Sequence, residues 1–128
     1  MKPKYLVDSL CITLKNLGFN EACRAYRKSN GEVIDSQLLK NTELEEGEYS
    51  IPTLFECVDW LRTKNIYVSC YPIESERAGE IFDFRSTVIM PNYINNLLKK
   101  HFCYYKAWDF GIETALKELS KSETDEKV

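Results

Sequence analysis

His101 is the one histidine in this chain of 128 residues, so proton-transfer chemistry has a single imidazole and no second one to relay to. The thiols are Cys11, Cys23, Cys57, Cys70 and Cys103. Their number is odd, their spacing is wide, and no two form a C-x-x-C pair. Structural zinc wants four clustered sulfur or nitrogen ligands, so no metal site is expected. A cysteine nucleophile needs a base beside it. Cys103 stands two residues from His101, and strand neighbours at that spacing share a face without having to touch. The stronger reading is five reduced, buried and inert thiols.

The carboxylates offer no more. Glu43, Glu45, Glu46 and Glu48 cluster around Gly47, but the D-x-D-x-D-G spacing of a calcium loop is absent. Like charges that close together prefer water, so 41–50 reads as a solvated acidic loop. Glu56, Asp59 and Asp83 are dispersed candidates for acid–base work, and Glu56 already has a structural use. No phosphate loop or dinucleotide fingerprint occurs. These residues assign no catalytic, cofactor or metal position, and the chain reads as a non-enzyme.

Charge and hydropathy narrow the partners. The formal net charge is -3 and the pI is near 5.3, which disfavours a general nucleic-acid surface. Asp8 interrupts the only apolar stretch near the N-terminus, so no signal peptide is expected. No run approaches a membrane span. The expectation is a cytoplasmic protein with no membrane association.

Three helices and two hairpins must position whatever the protein uses. Leu6, Leu10, Leu14 and Leu17 form a stripe over a helix at 8–17. Asp8 or Ser9 is its expected cap, and Gly18 its stop; Phe19 then folds back onto the stripe. Asn30-Gly31 predicts a type I′ hairpin between 23–28 and 32–35. Thr53 and Glu56 form a capping box for a second helix whose buried face is Leu54, Phe55, Cys57, Val58 and Leu61, with Trp60 at its edge. Strands are expected at 65–73, with Pro72 marking an edge or a bulge, and at 81–90. In the latter Phe82, Phe84, Ser86, Val88 and Met90 face the core. Ile81, Asp83, Arg85, Thr87 and Ile89 face solvent, where Asp83 and Arg85 would pair. Residues 91–100 read as a loop with a short helix, because Asn92, Asn95 and Asn96 resist regular structure. The last helix, 105–120, buries Trp108, Ile112, Ala115, Leu116 and Leu119, and Gly111 lets it approach a sheet closely.

The expected fold is therefore α+β, an antiparallel sheet built from two hairpins with about three helices packed on one face. It occupies one domain, 1–120, followed by a frayed charged tail, 121–128. The expected core is Leu10, Leu14, Leu17, Leu54, Val58, Leu61, Phe82, Phe84, Val88, Ile112, Ala115 and Leu116.

Four aromatics are the candidate interaction residues. Phe110 falls opposite the stripe of the last helix, as a lone exposed ring, a ring covered by 91–100, or an anchor for a partner or a second copy. Trp60, Tyr67 and Tyr71, with Tyr104, could instead line a ligand cleft, although aromatics at such spacings more often serve the core.

Three segments carry a resemblance. Leu14-Lys15-Asn16-Leu17-Gly18-Phe19-Asn20-Glu21-Ala22-Cys23 resembles the "LKELGFDEPC" opening of a family of small phage- and prophage-encoded proteins common in the Bacteroides group. The run from Ser50 to Val68, with Pro52-Thr53 and Trp60-Leu61-Arg62, is similar to that family's "ISAPTYxQAxxWLREKxxIHVxI". The run from Tyr104 to Leu119 resembles its closing "TYEEAxEAGIxxALxxL". The likeness covers about residues 10–120. It departs at Ala22, where the family often has proline, and at 90–100, which is longer here. The family brings no assigned activity or catalytic residue. The resemblance, with the motif poverty and small size, favours a non-enzymatic accessory or interaction protein of a phage or mobile element. The expected partner is a phage or host protein or, through Phe110, a second copy. The alternative is a small-ligand-binding module.

Overall fold

The computed structural model describes residues 4–35, 38–76 and 82–126, with side chains as far as Lys121. The fold is α+β, with three helices and two antiparallel three-stranded sheets. Its contacts gather into two compact units, residues 1–57 and 58–128.

In the first unit, α1 (Asp8–Asn16) buries Leu10, Cys11 and Leu14. Its N-cap is Val7, and no side chain caps it. Asp8 is spent elsewhere: its two oxygens each lie 3.1 Å from a nitrogen of Arg27. Gly18, at φ 91°, ends the helix as its composition requires. Phe19 returns to the core, its N–H donating to the Leu14 carbonyl at 2.9 Å. Leu17 is only half-buried, because it sits at the C-cap, where the stripe turns away.

β1 (Ala25–Arg27) pairs with β2 (Val33–Ile34) across the Asn30-Gly31 turn. The turn is not type I′, since only Gly31 has positive φ. The Gly31 N–H donates to Lys28 and the Lys28 N–H to Glu32, the pattern of a tight turn with a glycine bulge. On its other side β1 pairs with β3 (Tyr49–Ile51), which replaces the end of the expected acidic loop. The preceding residues are ordered by polar bonds. One 3-10 turn spans Asn41–Glu43. The Glu43 carboxylate accepts from the Lys40 N–H, and the Glu48 carboxylate from the Glu45 N–H. Asn41 donates to the Phe19 carbonyl at 2.8 Å and accepts from the Ser50 N–H at 2.9 Å.

α2 (Leu54–Thr63) opens with the capping box. The Thr53 N–H donates to Glu56 at 2.8 Å, and the Glu56 N–H donates to the Thr53 hydroxyl at 3.2 Å. Leu54, Cys57 and Leu61 are fully buried. Phe55 is exposed and Val58 half-buried, while Trp60, expected at the edge, is buried. The buried arc of the helix is thus rotated toward Trp60.

The second unit contains β4 (Tyr67–Glu74), β5 (Phe82–Met90) and β6 (Tyr93–His101) in that order across the sheet. Pro72 lies on an edge strand, as a residue without an N–H should. β6 overturns the loop and short helix expected at 91–100. Pro91 and Asn92, the latter at φ 62°, make the two-residue turn. Tyr93, Ile94, Leu97 and Leu98 fit a helical spacing, but hydrogen bonding to β5 decides the matter.

α3 (Tyr104–Glu126) covers one sheet face and runs past the expected end at 120. Trp108, Ile112, Ala115, Leu116 and Leu119 are buried. A Cβ on Gly111 would lie 2.8 Å from Val68 Cγ1 and 3.0 Å from Ser86 Cβ, so only glycine allows this approach. Val88 is buried, but Phe84 is half-buried and Phe82, at the strand end, is exposed. Asp83 and Thr87 correct the solvent-face reading, since they are only 5% and 8% exposed. Ile81 and residues 127–128 of the expected tail lie outside the described residues.

Candidate functional site

The groups with reactive chemistry are shielded or separate. Cys11 and Cys23 are buried, and burial first, then neighbouring negative charge, pushes both thiols up to about 12. Burial pushes Cys70 up to about 11. Cys57 is buried and Cys103 exposed. The His101 ring lies 5.2 Å from that of Phe110. Its Nε2 is shielded and has no hydrogen-bond partner. Burial, aided by Lys99 and Lys106, holds its pKa below the usual imidazole range. No hydrogen bond joins His101 to Cys103, so the strand juxtaposition does not become a dyad. Among the described residues no group of three or more His, Cys, Asp or Glu is placed to hold a metal ion. Among the described residues no helix is long and apolar enough to cross a membrane.

A cleft of about 350 Å³ lies in the first unit. Leu6, Ala25 and Ile51 are its buried residues, Tyr5, Val7 and Val33 its exposed rim. Asp8 and Arg27 stand together on its wall, and Arg27 Nη1 also donates to the Gly31 carbonyl at 2.6 Å. Tyr49 bonds to both, and burial followed by the Asp8 bond raises its phenol. Asp8, Arg27 and Tyr49 are therefore engaged with one another, and Asp35 is the remaining charged residue of the lining. None of the four expected aromatics lines this cleft.

Those four, and Tyr104 with them, lie in the second unit and do not converge on one site. Trp60 is buried on α2, with Lys64 Nζ 5.3 Å from its ring centroid. Phe110 is half-buried, covered by His101 and by Lys99, whose Nζ lies 5.3 Å from the ring centroid. Of the outcomes open to Phe110, this is the covered ring, although a strand supplies the cover. Tyr104 packs edge-on against Phe84 and Trp108. Tyr67 and Tyr71 lie on the sheet face opposite α3, by alternation from Val68 and Cys70.

On that outer face the sheet builds a feature that sequence reasoning missed. Tyr67 pairs with Ile89, and Ile89 with Ile94, so three apolar side chains form one row across three strands. They are 49%, 41% and 67% exposed, and Leu98, further along β6, is 75% exposed. The next row is polar, with the Thr87 hydroxyl donating to Asn96 Oδ1 at 3.1 Å. The sequence did contain a signal. Residues 84–108 include no Asp or Glu, in a chain that has 20 of them, and carry Arg85, Lys99, Lys100 and Lys106. This stretch spans β5, β6 and the start of α3.

Compared with known proteins, the chain matches no family model, no curated protein and no solved structure.

Proposed function

We propose that the protein is a non-enzymatic interaction protein, and that it binds a protein partner through the outer face of β4, β5 and β6. The observation that carries this reading is the exposed Tyr67–Ile89–Ile94 row. Single exposed apolar residues need no explanation, but aligned ones backed by a rigid sheet are what an interface core uses. The resemblance to phage- and prophage-encoded proteins supports an accessory role in a mobile element, with a phage or host protein as the partner and a cytoplasmic site of action.

The test is co-expression with the products of flanking genes, followed by size-exclusion chromatography with light scattering. A stable complex should form and should be lost in Ile89→Lys/Ile94→Lys. A complex indifferent to that double variant, or elution alone in every combination, contradicts the reading. Doubling of the mass of the isolated protein with concentration would instead assign the face to a second copy.

The cleft supports a second reading, a module for a small apolar ligand. Ala25→Phe would fill it. A ligand that raises the melting temperature of the wild type and leaves Ala25→Phe unmoved would favour that reading.

A further inference from the structure

β6 is an edge strand: it pairs with β5, and no described strand pairs with its other side. Pairing with β5 is regular from Met90↔Tyr93 to Ser86↔Leu97. It then slips, because two steps along β5, from Ser86 to Phe84, correspond to four along β6, from Leu97 to His101. Regular edge is thus available over 93–97, a common strand length. Ile94, Asn96, Leu98 and Lys100 alternate onto the outer face. Leu97 and Lys99 point to the α3 side, where Leu97 is buried and Lys99 lies over Phe110.

An open edge offers donors and acceptors together, and another strand answers both. A nucleic acid or a lipid surface supplies anionic charge but no row of alternating donors and acceptors at strand spacing. The charge on this edge is one-sided. Lys99 and Lys100 are exposed, Lys106 follows in the first turn of α3, and no acidic residue lies between 84 and 108. A second copy would bring two basic edges together with no carboxylate on either to offset them. The same lysines that discourage self-pairing favour a strand of opposite charge.

We infer that β6 takes an extended, acidic segment of a partner protein as a fourth strand, with apolar residues beside Ile94 and Leu98 and carboxylates beside Lys99 and Lys100. This rests on the interaction reading above and names the partner's chemistry. The added strand would lengthen the Tyr67–Ile89–Ile94 row by one position, so edge and face become one surface.

The probes are two labelled eight-residue peptides, one alternating glutamate and valine, the other lysine and valine. Both are titrated into the full chain with fluorescence anisotropy as readout. The acidic peptide should bind at least about tenfold tighter at low salt, and the difference should shrink at high salt. Lys99→Glu/Lys100→Glu should invert the order. If that variant does not fold, Lys100→Gln/Lys106→Gln, which leaves the Lys99–Phe110 contact intact, should narrow the preference. No preference in the wild type, a preference unmoved by either variant, or tighter binding to phosphatidylserine vesicles or to oligothymidine overturns the proposal. If the peptides fail while flanking-gene complexes still form and remain sensitive to Ile89→Lys/Ile94→Lys, the edge proposal falls and the interaction reading stands.

Discussion

The two sheets are built in opposite ways. In the first, strands of 3, 2 and 3 residues are too short to hold themselves. Asn41, Glu43 and Glu48 tie the intervening chain together through backbone groups. In the second, strands of 8, 9 and 9 residues form long ladders, and α3 covers one face. A self-sufficient ladder leaves its other face and its edge to spare, whereas a sheet made of short pieces has its polar side chains committed. That difference is why the proposed interaction surface is placed on the second sheet.

The comparison predicts that apolar truncation hurts most where a helix lies on a sheet. Ile112→Ala should cost about 2–5 kcal/mol by chemical denaturation, the range for core truncations. Leu14→Ala gives the matching measurement on the first unit. Gly111→Val should cost at least about 1–3 kcal/mol, because the added atoms collide with Val68 and Ser86.

Polar deletion sharpens the contrast from the other side. Asn41→Ala strands the Ser50 N–H and the Phe19 carbonyl and should cost about 1–3 kcal/mol. Ser69→Ala, exposed on the outer face of the second sheet, should stay within about 0.5 kcal/mol. Equal costs would erase the distinction between the units.

Two pH effects follow next. The Cys11 and Cys23 thiols have folded pKa values of about 12, above the ordinary value of 9.0. Their contribution is complete below that ordinary value and is lost as pH rises from there toward 12, where only the unfolded thiols ionise. Cys11→Ala/Cys23→Ala should flatten this alkaline decline in urea midpoints. His101 runs the other way. Its folded pKa lies below 6.5, so its contribution is present above 6.5 and is lost as pH falls below it. His101→Gln should remove that acid limb. A small effect is also expected for Asp8→Asn. The Arg27–Asp8 pair is partly exposed, so it should be worth only about 0.2–1 kcal/mol.

Much of the fold was legible because its signals are local. The Thr53–Glu56 box, the stripe from Trp108 to Leu119, the Gly111 approach and the Asn30-Gly31 hairpin each need only a few residues. What was missed depends on pairing partners far along the chain. Tyr49–Ile51 sits after four glutamates, and only β1 makes it a strand. β6 has apolar residues at both 97 and 98, which blurs its alternation, and three asparagines that read as a loop. Of the site, Tyr67 is an aromatic candidate in the sequence, but Ile89 reads there as part of an ordinary solvent face. Ile94 and Leu98 fit the spacing of a helix turn. Their alignment exists only once the register across β4, β5 and β6 is known.

The central claim is that the second sheet, by its edge and outer face, is where this protein meets a partner. The most direct measurement is a titration of ¹⁵N-labelled protein with the alternating glutamate–valine peptide, followed residue by residue in ¹H–¹⁵N spectra. The account predicts shifts concentrated on Tyr93–Lys100 and on Ile89, with amides of the first-unit cleft, such as Leu6, Ala25 and Arg27, unmoved. Shifts confined to the cleft, or spread evenly over both units, would contradict it.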